Sequence, residues 1–305
     1  MSTFSAQHRL IPAALEAVST ACAVSRAIQA NLHQLRQVTK DDRSPVTVAD
    51  FAVQAIVALS LADQLPESDR LIVGEEDAKE LRSNEQSAIR AAVLEAVRTW
   101  RPQITEEEML QAIDGCDHDG SSDGYFALDP IDGTKGFLRG QHYAIALGRI
   151  ENGKVVAGVM GCPNLSIDQS FPLHEIDPCG VVYAASGGAG AWEFADCDAT
   201  TTPMRIVAQQ FDESRPLRFC ESAEKGHSNR GDSELIIEAV GTPGEPARLD
   251  SQCKYTLVAR GQADGYLRLP TSKEYVEKIW DHAAGVCIAT EAGAIVSDVS
   301  GNPLD

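Results

Sequence analysis

The chain has 305 residues, 43% hydrophobic and 23% charged, enough for one large domain or two medium ones around a sizeable core. Its 26 basic and 45 acidic residues leave a net charge of −19, which argues against a nucleic-acid polymer or an anionic membrane as partner, but not against a small anion held through bound cations. No apolar run approaches the roughly 20 residues of a membrane helix, the start Met1–Ser5 has no signal-peptide pattern, and eight cysteines without a C-x-x-C pair read as reduced thiols of a cytoplasmic protein, not as a zinc site.

In chain order, residues 6–33 read as a helix whose apolar face is Leu10, Ala14, Ala17 and Ala21. A second helix is predicted over 47–64, with Thr47 as N-cap and Asp50 three residues later, as in a capping box. Leu71-Ile72-Val73 is a short buried strand that runs into Gly74-Glu75-Glu76-Asp77. Helical stretches at 84–100 and 105–113 are separated by Pro102, and the polar segment 114–122 is expected to be a mobile surface loop. The strand Tyr125-Phe126-Ala127-Leu128 ends in Asp129-Pro130-Ile131-Asp132-Gly133-Thr134. Tyr143–Ile150 and Lys154–Met160 form a hairpin about Glu151-Asn152-Gly153, and Val181–Ala185 and Ala191–Phe194 a second about Gly187-Gly188. Beyond about residue 165, strands are expected near Leu217–Cys220, Gly265–Leu269 and Ala294–Ser297, and helices near 232–240, after Asp250-Ser251 and from Asp281. Helices before, between and after sheets predict a layered α/β (α+β) sandwich in two halves, divided as 1–164 and 165–305.

Three acidic segments carry candidate chemistry. In Asp129-Pro130-Ile131-Asp132-Gly133-Thr134 two carboxylates lie three residues apart at the end of an apolar strand, with a restricted backbone between them and a tight turn after. Carboxylates of this kind bind a hard divalent cation, and turn N–H groups beside them bind phosphate oxygens; an exposed Asp-rich turn has the same spelling. Gly74-Glu75-Glu76 follows a buried strand directly, where ligands of α/β sheets gather, although taken singly it reads as an ordinary polar loop. Asp281 opens a helix of small residues, as a ligand, as a simple N-cap, or as both, since a carboxylate has two oxygens.

Taken together, Gly74-Glu75-Glu76, Asp129-Pro130-Ile131-Asp132-Gly133-Thr134 and Trp280-Asp281-His282-Ala283-Ala284-Gly285 resemble, in order and spacing, the inositol monophosphatase superfamily, over nearly the whole chain. Ser44-Pro45-Val46-Thr47 and Ala49-Asp50, Thr134-Lys135-Gly136-Phe137-Leu138-Arg139-Gly140, Glu224-Lys225-Gly226-His227-Ser228, Asp250-Ser251-Gln252-Cys253-Lys254-Tyr255 and Tyr266-Leu267-Arg268-Leu269-Pro270 resemble its 3′(2′),5′-bisphosphate nucleotidase branch. One departure is that the family continues past Asn302-Pro303-Leu304-Asp305.

The resemblance implies an αβαβα sandwich and a Mg²⁺-dependent phosphomonoesterase acting on adenosine 3′(2′),5′-bisphosphate, with 3′-phosphoadenosine 5′-phosphosulfate as a further substrate. It implies that Glu75, Asp129, Asp132, Asp281 and the Ile131 carbonyl hold two or three Mg²⁺ ions, and that Asp50 and Thr134 position and deprotonate the attacking water. By the same resemblance the N–H groups of Gly133 and Thr134 cradle the 3′-phosphate, Ser251, Lys254 and Arg268 bind the 5′-phosphate, His227 contacts the nucleotide, and Asp281 also faces substrate. Lys135, Arg139 and Lys225 are weaker candidates. The first half then carries the metal motifs and the second half the nucleotide-binding residues and the last metal ligand. The implied partner is a small nucleotide bisphosphate, met by a monomer, with inhibition by Li⁺. The alternatives are an inositol polyphosphate 1-phosphatase or dual-specificity enzyme with the same metal core, and a catalytically dead nucleotide sensor.

Overall fold

Alternation along the strands sets the architecture. In the computed structural model, which describes residues 8–33, 44–79, 81–212, 214–222, 230–269 and 276–304, seven strands form one mixed sheet. They are β1 (Ile72–Gly74), β2 (Gly124–Asp132), β3 (Ala144–Glu151), β4 (Lys154–Cys162), β5 (Val181–Ser186), β6 (Gly190–Ala195) and β7 (Met204–Ile206), laid side by side in sequence order. Only the β1–β2 pair is parallel; every later pair is antiparallel. The sheet crosses position 164/165 without a break, because β4 and β5 pair from Cys162↔Val181 to Ala157↔Ser186.

Ile145, Leu147, Val159, Val182 and Ala184 face one core, under α1 (Ile11–Ala30) and α2 (Ser44–Gln64). Their neighbours Ala144, Ala146, Met160, Val181 and Tyr183 face a second core, under α8 (Ala283–Glu291). α7 (Cys253–Ala259) packs between α8 and a small parallel sheet of β8 (Phe219–Glu221), β9 (Ala247–Arg248) and β10 (Gly265–Tyr266), in the order β10-β8-β9. The result is the expected layered α/β arrangement. α3 (Ser87–Trp100) and α4 (Glu106–Asp114) flank α2, and α4 starts at a capping box in which Thr105 and Glu108 exchange bonds. α6 (Arg230–Val240) covers the helix predicted at 232–240.

The structure corrects several expectations. α2 is already helical at Ser44, so Thr47 lies inside the helix and is not its N-cap. Segment 114–122 does lie largely at the surface, as expected, but it is tied to β1: Cys116 is buried, its carbonyl accepts from the Gly74 N–H at 2.8 Å, and Asp117 bridges to Val73. No strand forms at 294–297; Gly293, at φ 96°, turns the chain out of α8, and Ile295 is 96% exposed. β10 stops at Tyr266, after which the chain carries Arg268 to Glu277. The short strands β7 and β9 have no alternating pattern to announce them. Two helices, Ile11–Ala30 and Val46–Gln64, are long and apolar enough to cross a membrane by composition. They are apolar on most faces because each is enclosed, with 61% and 67% of those windows buried against neighbouring elements.

Candidate active site

The end of β2 does the first positioning. Side chains three apart on a regular strand point to opposite faces. Here the pairing steps from Asp129↔Ala146 to Asp132↔Ala144, so β2 advances three residues while β3 advances two. That one-residue bulge reverses the parity and turns both carboxylates to one side. Pro130, which has no N–H to donate, sits inside it at no cost to the ladder. The chain then turns at Gly133, with φ +93°, into α5 (Thr134–Leu138). A Cβ on Gly133 would lie 2.8 Å from Ser251 Cβ, and one on Gly136 only 2.3 Å from the His142 carbonyl oxygen, so the turn admits no side chain at either place.

Glu75 comes from the adjacent strand. The parallel register Gly74↔Leu128 sets it beside Asp129, and the two carboxyl groups lie within hydrogen-bonding reach. The buried side chain of Gln54, one helical turn after Asp50 on α2, clamps this loop. Its Nε2 donates to the Glu76 carbonyl at 2.7 Å and the Ile113 carbonyl at 3.3 Å, and its Oε1 accepts from the Glu76 N–H at 3.1 Å.

Asp281 ends a single 3-10 turn, Ile279–Asp281, just before α8. Its Oδ2 accepts the Lys278 N–H at 2.8 Å, so it closes this turn, while His282 occupies the N-cap position of α8. α8 reaches the sheet closely because small residues meet: Gly148 and Gly158 lie against Ala283 and Ala284. Asp129, Asp132 and Asp281 thereby present carboxylate oxygens all within 4.8 Å of one another.

The electrostatics of this cluster are those of a cation site. Burial, then the charges of Asp132, Glu75, Asp281 and Asp50, holds Asp129 well above the usual carboxylate range. Burial, then Glu76 and Glu75, does the same for Asp50. Asp132 is raised by burial, with Arg268, Lys254 and the Gln252 N–H pulling the other way. Glu75, the exposed member, is raised by partial burial against its contact with Asp129. Asp129 Oδ1 is buried and, among the described residues, has no hydrogen-bond partner. An orphaned anionic oxygen facing further carboxylates fits a hard divalent cation, and the all-oxygen donor set excludes a soft one.

Several of the other expected residues lie near the acids. α2 packs against α5, which carries the exposed Thr134, but no hydrogen bond joins Asp50 to Thr134. Ser251 is buried with φ +74°, and its Oγ accepts from the Cys253 N–H at 3.2 Å. Lys254 is buried; its Nζ donates to the Leu249 carbonyl at 3.3 Å and lies 5.2 Å from the centre of the Tyr266 ring. Burial lowers its pKa, while Asp132 opposes this. Arg268 forms a fork with Glu277, at 2.9 and 2.6 Å, and reaches Asp281 Oδ1 at 3.1 Å. Arg139 is bound to Asp250 and Gln141. His227 and Lys225 lie outside the described residues.

Two residues at the site carry no obvious signal in the sequence. Gln252 touches both aspartates of β2, and only its place beside Ser251 and Lys254 marks it. Gln54 is marked only by standing four residues after Asp50, on the same helical face.

The chain matches the inositol monophosphatase family over residues 6–305. It belongs to that family. Among relatives of known name, the 3′(2′),5′-bisphosphate nucleotidase of Schizosaccharomyces pombe is 44% identical over 279 residues, covering 88% of this chain and 77% of its own. That of Oryza sativa is 41% identical, covering 97% and 85%. Among solved structures, the inositol monophosphatase of Anabaena (Nostoc) sp. PCC 7120 has a TM-score of 0.62 at 19% identity, covering 99% of this chain and 88% of its own. The CysQ protein of Bacteroides thetaiotaomicron has a TM-score of 0.58 at 21% identity, covering 92% and 85%. At these identities the solved structures speak for the fold of this inositol monophosphatase family member.

Proposed function

We propose that the chain is a Mg²⁺-dependent 3′(2′),5′-bisphosphate nucleotidase, a phosphomonoesterase that removes the 3′(2′)-phosphate of adenosine 3′(2′),5′-bisphosphate. The observation that carries this reading is the convergence of Asp129, Asp132 and Asp281 around a buried oxygen with no partner among the described residues, within electrostatic reach of two cationic side chains, Lys254 and Arg268. The nucleotidases at 41–44% identity support the nucleotide as substrate.

In this reading Glu75, Asp129, Asp132, Asp281 and the Ile131 carbonyl hold two or three Mg²⁺ ions. When bound, the ions neutralise the phosphate and lower the pKa of water toward neutrality. The N–H groups of Gly133 and Thr134 orient the phosphate at the start of α5. By the family resemblance Asp50 and Thr134 would position and deprotonate the attacking water, which requires the two side chains, not hydrogen-bonded to each other in this structure, to come together. Lys254, Arg268 and Ser251 hold the 5′-phosphate. Arg268 exchanges part of its fork on Glu277 for that phosphate, and a bidentate guanidinium suits the exchange.

The substrate assignment is tested by comparing kcat/KM for adenosine 3′,5′-bisphosphate and inositol 1,4-bisphosphate at saturating Mg²⁺. The expected preference for the nucleotide is about 100-fold or more, a floor that shape discrimination in a pocket already supplies and well below what hydrogen bonds to a polar group can add. Equal or inverted values would overturn the nucleotide reading and leave the metal site standing.

A further inference from the structure

The carboxylates of the cluster come from two separate segments, the end of β2 and the 3-10 turn before α8, which pack against each other. Gln252, at the N-cap position of α7, bridges them from a third. It is fully buried, at 0% exposure. Its main-chain N–H donates to Asp132 Oδ2. Its side-chain Nε2 donates to Asp129 Oδ2 at 3.3 Å and to the carbonyl of Trp280, the residue before Asp281, at 3.2 Å.

The amide orientation follows from these partners. Turned over, Oε1 would face the Trp280 carbonyl oxygen, which can only accept, so Nε2 points into the cluster. Oε1 is then left buried without a partner among the described residues. An orphaned buried acceptor costs a fold stability, and the donors on the same amide offset that cost by holding the cluster. No other side chain of this length offers two donors from one nitrogen without adding a charge: Glu has none when ionised, Met has none, and Asn is one methylene shorter. Because Gln252 takes Oδ2 of Asp129, Oδ1 is the oxygen left free, and that is the orphaned one.

We propose that Gln252 is a positioning residue that holds Asp129, Asp132 and the Trp280–Asp281 turn in the geometry that receives the cation, and that its side-chain amide sets cation affinity. This rests on the metal reading above. Partners that orient metal-binding carboxylates influence affinity without touching the ion.

The test is calorimetric titration of the metal-free protein with Mg²⁺, for wild type, Gln252→Met and Gln252→Asn, with the metal-free melting temperature measured alongside. Gln252→Met keeps the length and removes both donors. Its Mg²⁺ dissociation constant should rise about 10–100-fold, and Gln252→Asn should show a smaller rise. In turnover the Mg²⁺ concentration at half-maximal rate should rise with it, while kcat at saturating Mg²⁺ falls less. A folded Gln252→Met protein that binds Mg²⁺ as wild type does would overturn the proposal, and so would loss of melting temperature with no change in Mg²⁺ affinity. If Gln252→Met does not fold, an unchanged dissociation constant in Gln252→Asn overturns it equally. Wild type that binds no Mg²⁺ would overturn the metal reading itself, and this proposal with it.

Discussion

Asp129 shows what single residues do here. Burial and four neighbouring acids raise its pKa well above the ordinary 3.8, so the folded, metal-free protein holds this proton at pH values where the unfolded chain has lost it. The sign follows: the metal-free fold loses stability as pH rises from the unfolded pKa through the raised folded one. Asp129→Asn removes that cost and still accepts from Gln252. Its metal-free melting temperature should exceed that of wild type by roughly 2–5 °C at neutral pH, and the gap should close as pH falls toward about 4. Melting curves over that range check it; a gap that does not vary with pH would contradict the assignment. The acids themselves were legible in the sequence, because each stands where a strand ends or a small-residue helix begins. The two glutamines that hold them were not. An amide in a helix has no compositional mark, and the partners of Gln54 and Gln252 come from segments far away along the chain.

Two joints between elements build the site. The first is the bulge in β2, which brings Asp129 and Asp132 to one face. The sequence shows the spacing and Pro130 but not the parity change, since the bulge depends on the register of β3. The second is the close seat of α8 on β3 and β4, which sets the depth of Asp281. A Cβ at Gly148 would stand 2.5 Å from Ala283 Cβ and 3.0 Å from the Ala284 nitrogen. Gly148→Ala should therefore force α8 outward, at a cost of about 1–3 kcal/mol. The expected result is a melting temperature lower by roughly 2–10 °C, together with a higher Mg²⁺ requirement, because Asp281 precedes Ala283 by two residues. Unchanged melting and an unchanged Mg²⁺ requirement would mean that this seat does not set Asp281. The hairpin at Asn152-Gly153 was legible because positive φ at both residues, +50° and +74°, needs that pair. Ala294–Ser297 was misread because its apolar residues suggest a strand, whereas Ile295 points to solvent.

At the scale of the whole molecule, the layers explain the distribution of charge. In an acidic chain of net charge −19, most of the described carboxylates lie exposed, but Asp129, Asp132 and Asp281 converge with buried Lys254 and half-buried Arg268 beside them. Neither cluster makes sense alone. Clustered carboxylates fit a hard cation, and cationic side chains at the edge of an acidic site suit a ligand with a second anionic group. The layered order was legible from the alternation of helical and strand patterns, whereas the continuity of the sheet across β4 and β5 depends on pairing that only the structure shows. The measurement that tests the central claim most directly is phosphate release from adenosine 3′,5′-bisphosphate as Mg²⁺ is raised from zero, for wild type and Asp132→Asn. The account predicts turnover in wild type that requires Mg²⁺, and a loss of roughly 100-fold or more in the variant at every Mg²⁺ concentration. Turnover without Mg²⁺, or turnover that Asp132→Asn leaves intact, would contradict it.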